Sequence, residues 1–91
     1  MDLGKVIGNV VATKKDERLK GYKLLLVEGV DPFAVSSQGH GRVFVAVDAV
    51  GAGRGELVLV VRGSAARLAV GESPPIDATI VGIVDETHVN P

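Results

Sequence analysis

Asp48-Ala49-Val50-Gly51-Ala52-Gly53-Arg54-Gly55-Glu56 runs straight into Leu57-Val58-Leu59-Val60-Val61, and the reading of this junction decides the fold. Alternating glycines invite a phosphate-binding interpretation, which would make the chain an enzyme. A P-loop, however, requires G-x-x-x-x-G-K-[ST] and a helix whose first amides meet the phosphate, and a dinucleotide loop requires G-x-G-x-x-G opening a helix. Here the spacing is G-x-G-x-G, neither Lys-Ser nor Lys-Thr follows, and the next residues are β-branched strand sequence. Glycines between two strands supply positive φ angles or close backbone approach at a tight connection. The stretch reads as a hairpin or contact loop between strands, without a nucleotide.

Working outward from it, residues 42–50 place Val43, Val45 and Val47 on one face with strict period-two alternation, which predicts a strand. Residues 56–62 predict the strand that follows the loop. Further upstream, residues 5–13 and 23–30 are Val/Ile/Leu-rich strand sequence; Gly8 marks a bulge or a close-packing point in the first, and Asp31-Pro32 ends the second. Between them, Lys14-Lys15-Asp16-Glu17-Arg18, closed by Gly21, alternates in sign and reads as a solvated loop. Ser36-Ser37-Gln38-Gly39-His40-Gly41 is a flexible connection. Downstream, Ser64-Ala65-Ala66-Arg67-Leu68-Ala69-Val70 predicts a short helix with Ser64 as its N-cap and Gly71 as its stop. Ser73-Pro74-Pro75 breaks it, and residues 76–86 supply a fifth strand. The expected fold is mainly β: a five-stranded OB-like barrel with one short helix between strands 4 and 5.

The 91 residues make one domain, 1–91. Apolar residues are 46 % of the chain, yet the aromatics are only Tyr22, Phe33 and Phe44, and the valine-rich remainder favours β structure. A net charge of -1 provides no general attraction to nucleic acid or an anionic membrane. The absence of cysteine excludes a disulfide framework and a thiolate metal site, consistent with the cytosol. Gly4, Lys5, Gly8 and Asn9 interrupt any apolar leader, and no run has the length of a membrane span, so a soluble cytoplasmic protein is expected.

Three segments are apolar on both strand faces: Leu24-Leu25-Leu26-Val27, Leu57-Val58-Leu59-Val60-Val61 and Ile80-Val81-Gly82-Ile83-Val84. Small antiparallel barrels keep a wet outer face and alternate. A domain this small cannot cover both faces of three strands itself, and burying the surplus against another copy gains about 25 cal/mol per Å². Association is therefore expected from the residues alone.

Catalytic chemistry finds no foothold. His40 and His88 lie far apart in sequence and lack motif partners. Ser64 follows Gly63 but has no G-x-S-x-G frame. Asp31, Asp48, Asp77 and Asp85 are scattered without calcium-loop spacing or an acid/base pair. A charge pair of Glu56 with Arg67 would position the glycine loop rather than catalyse. The alternative class, an OB-like module for single-stranded nucleic acid, needs a basic groove and aromatic platforms. Acids outnumber bases 11 to 10, and only Phe44 falls on a predicted strand. OB-folds also usually carry their helix between strands 3 and 4.

Together, Leu3-Gly4-Lys5-Val6-Ile7-Gly8-Asn9-Val10-Val11-Ala12-Thr13, Lys23-Leu24-Leu25-Leu26-Val27, the stretch from Asp48 to Glu56, Gly63-Ser64-Ala65-Ala66-Arg67, and the sequence from Pro75-Ile76-Asp77-Ala78 to Ile83-Val84-Asp85 closely resemble the bacterial microcompartment vertex proteins of the EutN/CcmL family. The pieces stand in the family's order and cover nearly the whole chain. The resemblance implies a non-enzymatic shell protein without cofactor, metal or small-molecule substrate. It would form a homopentamer, sit beside hexameric shell proteins, and close the fivefold vertices of a shell in the bacterial cytoplasm. By matching position, Gly51, Ala52, Gly53, Gly55 and Glu56 form the family's loop, and Ser64 and Arg67 belong to the helix motif; both are expected at the subunit interface. For the glycines, turn and subunit contact both remain open, since glycine serves either use. The segment 36–42 is variable in such proteins, and the tail after Glu86 is short, which bears on any C-terminal element reaching a neighbour. The forms Gly51-Ala52-Gly53-Arg54-Gly55-Glu56 and Gly63-Ser64-Ala65-Ala66-Arg67 lean toward a metabolosome rather than a carboxysome.

Overall fold

A computed structural model describes residues 1–31, 41–71 and 76–88. Phe33, His40, Ser73-Pro74-Pro75 and all but the last residue of the connection 36–41 lie outside them. Five strands, β1 (Asp2–Val10), β2 (Lys23–Gly29), β3 (Val43–Asp48), β4 (Leu57–Arg62) and β5 (Ala78–Val84), close into a barrel in the order β1-β2-β3-β5-β4, with helix α1 (Ser64–Ala69) between β4 and β5. This is the expected architecture. All pairings are antiparallel except β3 with β5, which run parallel through Val47↔Thr79 and Asp48↔Ile80.

Alternate strand residues form the interior, whereas the strict alternation of Val43, Val45 and Val47 lies on the outer face. Val6, Leu25, Val27, Ala46, Val58, Val60 and Ile80 point inward and are buried. Fully burying one such side chain stabilises by about 1.5–3 kcal/mol, against about 0–1 kcal/mol for an exposed ion pair. The barrel is therefore held by its aliphatic interior, and the surface charges only trim it. Gly4 belongs to this packing: a Cβ there would stand 2.5 Å from Val27 Cγ1, so only glycine lets β1 and β2 approach as they do.

The strand boundaries differ from expectation most at β1, which covers Asp2–Val10 rather than residues 5–13. It pairs with β4 over Asp2–Lys5 (Asp2↔Val60, Leu3↔Leu59) and with β2 over Gly4–Val10 (Gly4↔Gly29, Val10↔Leu24), so Gly4 and Lys5 have partners on both sides. Strand pairing with β4 draws in Asp2, whose carboxylate takes a 2.6 Å hydrogen bond from Arg62 Nε, whereas no described strand pairs with residues 11–13. Between Val6 and Gly8 the register with β2 shifts, so the bulge expected at Gly8 is present, and the pairing with β2 continues beyond it to Val10. The other elements are trimmed by one to two residues at their ends.

Helix α1 is too short to persist alone. Ala66 is its buried residue, and Thr79, itself fully buried, donates its hydroxyl to the Ala66 carbonyl at 2.8 Å. Val47, Thr79 and Ala66 are buried yet lie outside the barrel's core cluster, a second small core on the outer face of the β3/β5 seam. Ser64 is not the N-cap. Gly63 holds that position with φ 65° and no side-chain cap bond, so the backbone turns into the helix at a conformation a serine disfavours. The stop at Gly71 is as expected, with its amide on the Leu68 carbonyl at 3.0 Å.

The charged run is exposed and contains a single 3-10 turn, Glu17–Leu19. Asp16 caps it, accepting from the Arg18 amide at 2.9 Å and from Arg18 Nε and Nη2, both at 3.0 Å. The Arg18 side chain, aided by its amide, lowers the Asp16 carboxyl to about 2.

Candidate functional site

The loop after β3 is built by its own carboxylates. Asp48 Oδ1 accepts the amides of Val50 and Gly51, each at 3.0 Å, an Asx turn that starts the loop. Glu56 Oε1 accepts the Gly53 amide at 2.6 Å, while the Glu56 amide returns to the Gly53 carbonyl at 3.1 Å. The Gly55 amide bonds Val6 O at 2.8 Å, and Val6 N bonds Glu56 O at 3.0 Å, tying the loop to the bulge in β1. Lys23 Nζ reaches the Ala52 carbonyl at 3.4 Å. Ala52 is 1 % exposed and joins the barrel core, so it plugs the barrel at this point.

Within this loop the glycines divide by use. Gly51 and Gly55 have φ of 83° and 89°, the left-handed region that glycine alone enters freely, whereas Gly53 has no positive φ. At Gly53 the constraint is space: a Cβ would lie 3.3 Å from Glu56 Oε1. The amides are committed inward and to carboxylates, an arrangement opposite to a phosphate cradle, whose free amides face the ligand.

The site residues taken from the sequence do not form one cluster. Gly51, Ala52, Gly53, Gly55 and Glu56 share the loop before β4, whereas Ser64 and Arg67 sit on α1 beyond its other end. Six residues of β4 at roughly 3.3 Å each separate the two by about 20 Å. The pair considered between Glu56 and Arg67 is replaced by local partners: Glu56 holds Gly53, and Arg67 Nη1 donates to the Ile76 carbonyl at 3.4 Å. Ser64 is exposed. Two contributors escaped the sequence reading. Asp48 was signalled by its place before a glycine-rich turn; Thr79, a polar residue inside an apolar strand, gave only that hint.

His88 is exposed beside Glu86, 3.2 Å away. Phe44 packs against the core and its ring lies under the Arg62 guanidinium, 3.8 Å from the centroid. No group of three or more His, Cys, Asp or Glu able to hold a metal occurs among the described residues, and no helix among them is long and apolar enough to cross a membrane.

Such geometry defines a closed five-stranded β-barrel module whose glycine-rich loop is shaped by Asp48 and Glu56. The family described as "Ethanolamine utilisation protein EutN/carboxysome" matches residues 1–85, and the chain belongs to it. The carboxysome shell vertex protein CcmL of Synechocystis sp. is 50 % identical over 90 residues, covering 98 % of this chain and 87 % of the relative. The microcompartment shell vertex protein GrpN of Rhodospirillum rubrum is 50 % identical over 86 residues, covering 93 % of each chain. The solved GrpN structure, described as a pentameric microcompartment shell protein, superposes with a TM-score of 0.84 at 48 % identity, covering 98 % of this chain and all of that one. Carboxysome and other microcompartment relatives thus stand at equal identity, and identity does not favour the lean toward a metabolosome.

Proposed function

We propose that the chain, as one domain over 1–91, assembles as a homopentamer that occupies the fivefold vertices of a bacterial microcompartment shell and catalyses nothing. The observation that carries this is the family match over residues 1–85, joined to near full-length similarity to shell vertex proteins. A flat lattice of hexagonal tiles closes only when pentagonal tiles stand at its corners, and a ring of five uses one repeated contact between unlike faces. Its partners are copies of itself and hexameric shell proteins, in the bacterial cytoplasm; no cofactor, nucleic acid, membrane or small-molecule substrate is required. The committed carboxylates of the loop support a non-catalytic role, and the use of Phe44 beneath Arg62 weighs against a base-stacking platform. The loop residues Gly51, Ala52, Gly53, Gly55 and Glu56 shape the subunit at one end of β4, and Ser64 and Arg67 present the helix at the other; both are assigned to subunit contacts.

Light scattering should give about 47 kDa, five times the 9.4 kDa chain. Co-expression with hexameric shell proteins should give closed particles, and omission of this chain should leave open vertices seen by electron microscopy. A monomeric mass, or vertices equally sealed without it, would overturn the proposal.

A further inference from the structure

Two apolar areas on the outside of the barrel are left open by the described residues. Elsewhere α1 lies over Thr79, and Val47 lines an apolar groove with Leu19, Leu24, Val45 and Ile76. On β2 and β3, Leu26 stands opposite Val45 at the rim of that groove, and Val43 and Val45 are 48 % and 44 % exposed. On β1 and β4, Leu3 stands opposite Leu59, and Leu57 is the next outward residue of β4; all three are half-buried. Leu59 lies over Gly82 of β5, whose missing side chain keeps this area flat. A charged row separates the two areas: across the sheet at one level come Leu57, Lys5, Glu28 and Val43. They are therefore two faces rather than one continuous band.

Resting on the pentameric reading above, we infer that these are the two unlike halves of the subunit contact: Leu26, Val43 and Val45 of one copy pack on Leu3, Leu57 and Leu59 of the next. A ring with one repeated heterologous contact needs two different surfaces per subunit that are complementary to each other, and two apolar surfaces are present. β3 meets β5 only at Val47↔Thr79 and Asp48↔Ile80, whereas the two apolar areas lie on the long-paired strands β2/β3 and β1/β4, so side-chain packing makes the contact. The occupant is a second copy because both faces are apolar and flat and a relative 48 % identical over nearly the whole chain is pentameric.

The chain has no cysteine, so introduced pairs report cleanly. The Val45→Cys/Leu59→Cys protein, treated with a short bismaleimide, should give a covalent ladder up to five chains on a denaturing gel, while either single variant stays monomeric. An equal mixture of the two single variants should give cross-linked dimers. If the double variant fails to fold, Leu26→Cys/Leu3→Cys takes its place. Cross-linking by Val45→Cys alone would reveal a like-to-like contact and overturn the assignment. A native mass near 47 kDa without any ladder would leave the ring standing and show that other faces form it. A monomeric native mass would remove the ring and this contact together.

Discussion

Glu56 and Gly53 clasp each other across one turn of the loop: the carboxylate accepts the Gly53 amide at 2.6 Å, and the Glu56 amide donates to the Gly53 carbonyl at 3.1 Å. Glu56→Ala leaves that amide without its carboxylate and should cost about 1–2 kcal/mol. In a domain of this size about 1 kcal/mol lowers Tm by roughly 4–8 °C. Glu56→Gln keeps an acceptor oxygen and should recover at least half of the loss in thermal denaturation.

Gly55 and Gly53 should respond differently to the same added methyl. At Gly55, φ is 89°, and Gly55→Ala should lower stability by about 1–2 kcal/mol because the Cβ crowds a carbonyl oxygen. Gly53→Ala meets only the end of the Glu56 side chain, 3.3 Å away, and should cost less than half as much. Denaturant midpoints of the two variants give the order; an inverted order would show that the Glu56 clasp, rather than backbone conformation, limits the loop.

Thr79→Val keeps shape and removes the hydroxyl that bonds the Ala66 carbonyl at 2.8 Å. The carbonyl is left inside the small outer core, a loss of about 1–3 kcal/mol. Amide exchange should rise selectively in α1, which has few other ties, before it rises in the strands.

Asp16 sets an acid-side limit on the 3-10 turn. Its carboxyl lies at about 2 in the folded chain, below its ordinary value of 3.8, so the contribution of the cap is fully present above about pH 4 and fades as pH falls toward 2. Carboxyl-carbon NMR titration should find this low midpoint, and Arg18→Gln should raise it toward 3.8. Melting temperature at neutral pH should hardly change, since both side chains are solvent-exposed.

The barrel was legible because its strands carry physical signals in single residues. Val43, Val45 and Val47 alternate, Asp31 precedes a proline, and Gly71 stops a helix. The excess of Leu24, Leu26, Leu57 and Leu59 marked an outer surface awaiting cover. What escaped notice depends on partners distant in sequence. Asp2 became strand because Val60 and Arg62 stand beside it, and no local pattern announces that. The helix entry fell to Gly63 because a positive φ there also lets its amide reach the Asp77 carbonyl at 2.9 Å. Which glycine of the loop turns the chain, and that Ala52 fills the core while Glu56 folds back on Gly53, follow from spacing in three dimensions. Alternating glycines do not encode them.

The split allegiance of β1 has a consequence for how the molecule comes into being. From Gly4 to Val10 it finds β2 after a short excursion, but the other edge of Asp2–Lys5 must wait for β4, some sixty positions later, before Asp2 meets Arg62. Long-range closure of this kind carries the entropic cost of joining distant segments before contacts reward it. During synthesis, the earliest strand therefore holds one edge bare until the fourth is complete, and the outer surfaces on β1 and β4 do not exist as a unit until then. Partner binding through those surfaces is thereby deferred: an unfinished chain has nothing to offer a neighbour, and only a sealed barrel can be recruited.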